Sequence, residues 1–171
     1  PRLLIMAEPS AIPMGRYENV GLLGTGGMAE ILLGKLIGPS GFERPVVVKR
    51  ILPHLARMPA FVDMFVDEAR IVADIRHPNV VQVHELAHEA DELFLVMEYL
   101  EGESLGAVCR RLLTRAESLD RVLCAFVCAE ACAGLHAAHE LRDEQGFPRD
   151  LVHRDVSPQN VFLTYTGQVK L

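Results

Sequence analysis

The order of the hydrophobic periodicities constrains the fold of this chain more than any other feature. The runs "YENVGLLG" (17–24), "AEILLGKLIG" (29–38) and "PVVVKRI" (45–51) are strand-like, punctuated by "GTGG" and "PSGFER", and predict a three-strand meander. "PAFVDMFVDEARIVADI" (59–75) has helical spacing, with Phe61, Phe65, Val72 and Ile75 on one stripe, and Pro78 ends it. Two more strands are expected in "VVQVHELAH" and "ELFLVMEY", joined by the charged "EADE". From Ser104 onward the pattern is helical, first in "SLGAVCRRLLTRA" and then from about Leu119 to Leu141, before the polar insert "RDEQGFPRD". Strands with one helix, followed by helices, predict an α+β chain of two lobes rather than alternating β-α-β units. The expected divisions are a loose leader at 1–16, a first lobe at 17–97 and a second at 98–171.

With 50% hydrophobic and 23% charged residues, the chain has material for a real core. A net charge of −6 without a basic cluster argues against a nucleic-acid partner. No apolar stretch is read as approaching the roughly 20 residues of a membrane span, so no membrane segment is expected in this portion. The opening "PRLLIMAEPSAIPM" lacks the parts of a signal peptide, and the chain is read as cytoplasmic. Cys124, Cys128, Cys132 and His136 are spaced by four on one expected helix. A straight helix cannot wrap four ligands around one ion, so these cysteines are read as small buried packing residues. The alternation around His84 and His88 makes them surface or satisfied histidines of a strand.

Two charges fall where apolar residues are expected. The strand period puts Lys49 on the face of Val47 and Ile51, and the stripe 61, 65, 68, 72, 75 runs through Glu68. Burying either charge alone is costly, so the two are expected to point inward and to meet each other or a bound ion. Nearby, Gly24 and Gly26 in "LLGTGGMAEI" would let an anion approach the backbone closely. No G-K-[ST] follows, and the segment joins two strands, which excludes both the Walker loop and the dinucleotide-binding fold.

The stretch "LVHRDVSPQN" (151–160) places His153, Arg154 and Asp155 together, with Asn160 five residues after the aspartate. This H-R-D-x-x-x-x-N spacing resembles the catalytic loop of protein kinases. In the family's order, "GTGGMAEI" looks like the nucleotide-covering loop, "VVVK" like the strand-lysine motif, Glu68 like its helix partner and "MEYL" like the hinge. The resemblance covers about Tyr17 to Leu171, and "GTGGMAE" and "HPNVVQ" are similar to bacterial Ser/Thr kinases.

The resemblance implies a bilobal kinase-like fold, with an antiparallel first-lobe sheet and an incomplete, mainly helical second lobe. It implies ATP and Mg²⁺ as ligands, and transfer of the γ-phosphoryl group to Ser/Thr hydroxyls of a protein substrate. Lys49 would pair the α- and β-phosphates and Glu68 would orient it. Met97 would guard the back of the adenine pocket, with the main chain of Glu98 and Leu100 on the adenine edge. Leu23, Ile31, Val47 and Phe162 would sandwich the ring, and Ser104 would stand near the ribose. Asp155 would take the proton of the acceptor hydroxyl and Asn160 would bind the metal.

Three departures stand out. Ala29 replaces the third loop glycine, which a negative φ would allow, and Val47 replaces a usual alanine. Ser157 stands where Ser/Thr kinases usually carry a lysine. "VFLTYTGQVKL" looks like the strand pair that leads into D-F-G in the family, and the chain stops before that motif, so these residues alone are expected to be catalytically silent. Alternative readings are a pseudokinase or nucleotide-binding scaffold, and a small-molecule phosphotransferase on the same architecture.

Overall fold

The computed structural model describes residues 15–89 and 92–171. All but the last two residues of the expected leader lie outside them, as do Ala90 and Asp91 of the expected "EADE" joint. The elements are β1 (Tyr17–Thr25), β2 (Ala29–Ile37), β3 (Glu43–Ile51), α1 (Pro59–Asp74), β4 (Val83–Glu89) and β5 (Glu92–Glu98). After them come β6 (Gly102–Ser104), α2 (Leu105–Thr114), α3 (Arg121–His139), β7 (Phe162–Thr164) and β8 (Val169–Lys170). The α+β order expected from periodicity is what the chain adopts. Only β6 had no signal, because three residues are too few to show a period.

The chain divides into two units. The first holds the described residues up to Ala73 together with Gln82–Tyr99, and the second holds Asp74–Val81 and Leu100–Leu171. The division therefore falls after Tyr99 rather than after Met97, and residues 74–81 group with the later part of the chain.

In the first unit the five strands form one antiparallel sheet in the order β1-β2-β3-β5-β4. The sheet curls until its two edges meet. Tyr17 on β1 donates its hydroxyl to the Glu85 carboxylate on β4 at 2.7 Å, and the Arg16 guanidinium bonds the same carboxylate. The curl encloses Tyr17, Leu32, Val46, Val48, Phe94 and Val96 without a covering helix. Arg50, on the same face as Val46 and Val48, donates to Glu30 at 3.2 Å and to Glu92 at 3.1 Å.

On the opposite face α1 packs Phe65 and Ala69 against Ile51 and Leu95. This corrects the expected stripe, because Ala69 is buried while Glu68 beside it is exposed. A reading keyed to large apolar residues passes over alanine, whose small side chain lets helix and sheet approach closely.

The second unit is organised around Asn79, buried to 5% exposure. Its amide donates to Glu130 of α3 at 2.7 Å and to the Val169 carbonyl of β8 at 2.8 Å, and its own carbonyl accepts from the Leu171 N–H at 2.9 Å. These bonds explain why residues 74–81 belong with this unit. Val127 of α3 packs on Val161 and Val169, supported by Leu105, Leu163 and Leu171.

Two expectations about α3 are corrected. Cys124, Cys128 and Cys132 are exposed free thiols, not packing residues, because the buried line runs through Val127, Ala131 and Gly134, a residue or more out of phase with them. The helix, 19 residues long, is also apolar enough to cross a membrane by length and composition, with a mean hydropathy of 1.5 over an 18-residue stretch. Its buried line, Val127, Ala131 and Gly134, is a narrow one, and Val127 packs on Val161 and Val169.

Candidate active site

Strand register places the candidate residues of the first unit. Ile31 lies opposite Lys49, which lies opposite Leu95, and Val47 lies between Leu33 and Met97. Residues directly opposite share a face, so Ile31, Val47, Lys49 and Met97 stand together on the α1 side of the sheet. The Lys49 Nζ is 2.7 Å from Glu68 Oε1 and sits 5.8 Å from the centre of the Phe65 ring, within range of a cation–π contact. The two charges meet as expected, but Glu68 keeps 46% of its side chain exposed and Lys49 24%. The inward burial expected for both is therefore corrected for Glu68, which lies at the margin of α1 while Ala69 takes the buried position.

Leu23 is the extra residue in a register shift between Leu22 and Gly24, the local bend of a β-bulge. The β1–β2 turn closes with the Gly26 N–H donating to the Ala29 carbonyl at 2.8 Å. A Cβ at Gly24 would meet nothing within 4 Å, and at Gly26 only the Ala29 carbonyl at 3.6 Å. Neither glycine has a positive φ, and neither does the buried Ala29. The turn thus has no conformational or steric need for glycine at 24 or 26, and the bare backbone leaves room for an outside group. On β5 the Glu98 N–H donates to the Gln82 carbonyl at 2.9 Å.

In the second unit the loop carrying Asp155 is clipped to the start of α2. The N–H of Leu105 donates to the Val161 carbonyl and that of Gly106 to the Pro158 carbonyl, both at 2.7 Å. A Cβ at Gly106 would lie 3.4 Å from the Pro158 carbonyl group, an ordinary contact, so the anchoring rests on these two hydrogen bonds. Sequence reasoning missed this anchor of the loop. Ser104, expected near a ribose, caps α2 by accepting from the Ala107 N–H at 3.2 Å. Phe162 is its register partner on β7 and is half-buried, as is Leu100.

Within the loop, the Asn160 amide nitrogen donates to Asp155 Oδ2 at 2.7 Å and to the Asp155 carbonyl at 3.0 Å. The Asp155 N–H donates to His153 Nδ1 at 3.3 Å, and Arg154 is held at φ 62°. Backbone strain of this kind, next to a functional side chain, persists only where surrounding bonds fix it. An ionised carboxylate only accepts, so the Asn160 nitrogen must face Asp155, which turns Asn160 Oδ1 away. That oxygen suits a hard cation such as Mg²⁺, which takes few protein oxygens and keeps waters and phosphate oxygens for the rest. Among the described residues no group of three or more His, Cys, Asp or Glu side chains is placed to hold a metal.

The protein kinase domain family matches residues 17–171 of the chain. The chain belongs to the protein kinase family. It is 47% identical over 163 residues to the tyrosine-protein kinase MasK of Myxococcus xanthus, covering 95% of this chain and 25% of that protein. It is 34% identical to the serine/threonine-protein kinase PksC of Streptomyces coelicolor, covering 94% of this chain and 28% of that protein. The solved kinase domain of Mycobacterium tuberculosis PknI superposes with a TM-score of 0.69 at 27% identity, covering 96% of this chain and 62% of the other. The kinase-family chain thus spans about a quarter of these two curated relatives. Lys49 stands on β3, Glu68 on α1 and "HRD" in the loop between α3 and β7.

Proposed function

We propose that this chain is the nucleotide-binding and catalytic-loop portion of a protein kinase that moves the γ-phosphoryl group of ATP to a Ser or Thr hydroxyl of a protein. The supporting observation is the Asp155 carboxylate, held by the Asn160 amide on an anchored loop with one oxygen left to accept a proton. Lys49, oriented by Glu68, supplies positive charge for the α- and β-phosphates, and the open backbone at Gly24 and Gly26 approaches the phosphate oxygens. Asp155 accepts the acceptor's proton as its oxygen bonds to the γ-phosphorus and the bond to the ADP oxygen breaks. Mg²⁺, held in part by Asn160, would supply further neutralisation of phosphate charge when bound. Little covalent work falls to the protein, so its contribution is positioning and electrostatics.

A Tyr hydroxyl is the second reading of the acceptor. Two observations favour it: Ser157 lacks the cation usual in Ser/Thr kinases, and the relative at 47% identity is named a tyrosine-protein kinase. The proposal also places the chain in the cytoplasm, where ATP is supplied and the exposed thiols of α3 stay reduced. Phosphoamino-acid analysis of the full-length protein with radiolabelled ATP tests it. Phosphoserine or phosphothreonine that disappears in Asp155→Asn supports the first reading, and phosphotyrosine supports the second. ATP binding with no transfer from the intact protein would leave the scaffold reading in place.

A further inference from the structure

A groove in the second unit lies outside the residues used above. It has a volume of about 280 Å³ and runs between one face of α2 and the β6–β7 pair. Val108 and Leu112 line it from the helix and Leu163 from the strand, with the exposed Tyr165 at its border. This space is below the ~300–1,000 Å³ of drug-sized ligand pockets, and it suits an apolar side chain or two. Arg111 in the last turn of α2 and Arg115, the residue that caps its C-terminal end, also line the groove, against one carboxylate, Glu103. Both arginines are exposed, and neither side chain has an ion-pair or hydrogen-bond partner among the described residues. In a chain of net charge −6 this is a local excess of unpaired positive charge beside an apolar floor.

We propose that this groove docks a short acidic segment of the protein substrate, with an apolar side chain in the groove and carboxylates on Arg111 and Arg115. Guanidinium groups bind carboxylates through two parallel hydrogen bonds, which gives direction as well as affinity. The position fits recruitment, because the first turn of α2 is bonded to the Pro158 and Val161 carbonyls that flank Asn160. A segment lying along α2 is thereby tied to the element that carries Asp155. The inference rests on the kinase reading, since it makes the groove serve the phosphotransfer site.

The test uses the full-length protein and two measurements. In the first, fluorescence anisotropy follows a labelled peptide carrying a leucine and neighbouring glutamates, beside a control with lysines in place of the glutamates. The acidic peptide should bind and the control should not, and the Arg111→Glu/Arg115→Glu double variant should weaken binding about tenfold or more. Both sites are exposed, so folding should persist, and Arg111→Lys/Arg115→Lys should retain much of the binding. In the second, the acidic segment is fused to a generic acceptor peptide. The fusion should lower KM without changing kcat, and the double reversal should abolish that gain while leaving the unfused acceptor unaffected. Equal binding of both peptides, no binding of the acidic one, or no response to the reversal overturns the docking proposal. Failure to phosphorylate even the unfused acceptor strikes the kinase reading instead, and the anisotropy result then decides the groove separately.

Discussion

The Asn160 amide spans the carboxylate and the backbone carbonyl of Asp155, at 2.7 and 3.0 Å, so one side chain fixes both the orientation and the position of the carboxylate proposed to accept the proton. Replacing Asp155 by Asn removes the acceptor and also weakens this charge-assisted bond. In the full-length protein, kcat should fall by roughly 10²–10⁴, while fluorescent nucleotide-analogue binding is retained. Asn160→Ala should lower kcat as well and raise the Mg²⁺ concentration needed for half-maximal rate. A metal dependence unchanged in Asn160→Ala would remove Oδ1 from the ligand set.

Lys49 and Glu68 form a partly exposed pair, and such pairs add little to stability. Glu68→Gln should therefore change unfolding free energy by less than ~1 kcal/mol, yet raise the KM for ATP because the ammonium loses its orienting partner. Urea unfolding beside initial-rate kinetics separates the two effects. A large loss of stability with unchanged KM would make the pair structural.

The seam between β1 and β4 should give stability a pH dependence at both ends. The Glu85 carboxyl is held below its usual range, mainly by the Tyr17 hydroxyl and also by the Arg16 guanidinium. Its contribution is present above the ordinary carboxylate pKa and is lost as pH falls through the depressed folded value. Tyr17 is pushed up, chiefly by burial and then by its bond to Glu85. Its contribution is present below the ordinary tyrosine pKa and is lost as pH rises through the folded value. Urea midpoints across the pH range should show both limbs, and Glu85→Gln should flatten the acid one. An acid limb equally steep in Glu85→Gln would assign it to other carboxylates.

Asn79 offers a sharper test of the second unit. Removing its buried amide in Asn79→Ala strands Glu130 and the Val169 carbonyl, and should cost about 1–3 kcal/mol. Gly134→Ala should also destabilise, since the added Cβ would lie 2.8 Å from the Asn79 carbonyl oxygen. Thermal melts of both variants check this, and a wild-type melting temperature in Gly134→Ala would show that α3 shifts without penalty.

These outcomes show where the sequence was legible. The periods of β1–β5, α1 and α3, and the fixed spacing of His153, Arg154, Asp155 and Asn160, are local signals and were readable. What could not be read depends on contacts between distant positions. Asn79 meets Glu130 across 51 residues, and Tyr17 meets Glu85 across 68. Small residues were the other blind spot. Ala69 and Gly134 carry little hydrophobic weight, yet they set how closely α1 and α3 approach their neighbours, and so which face holds Glu68 or the cysteines.

The glycines of the β1–β2 turn allow folding and binding to be told apart by sign. At Gly24 a methyl group would meet nothing, and at Gly26 only an ordinary contact, with no positive φ to forbid it. An alanine that fits the native conformation stabilises by about 0.4–1 kcal/mol through the unfolded chain. Gly24→Ala and Gly26→Ala should therefore leave the melting temperature equal or slightly raised. If the bare backbone exists to let phosphate oxygens approach, the same methyl groups should raise the KM for ATP several-fold while hardly altering the KM for the protein acceptor. Thermal melts and two-substrate kinetics on each variant check the pair of signs. A lowered melting temperature would return these glycines to a purely structural role, and an unchanged KM for ATP would take the turn out of nucleotide binding.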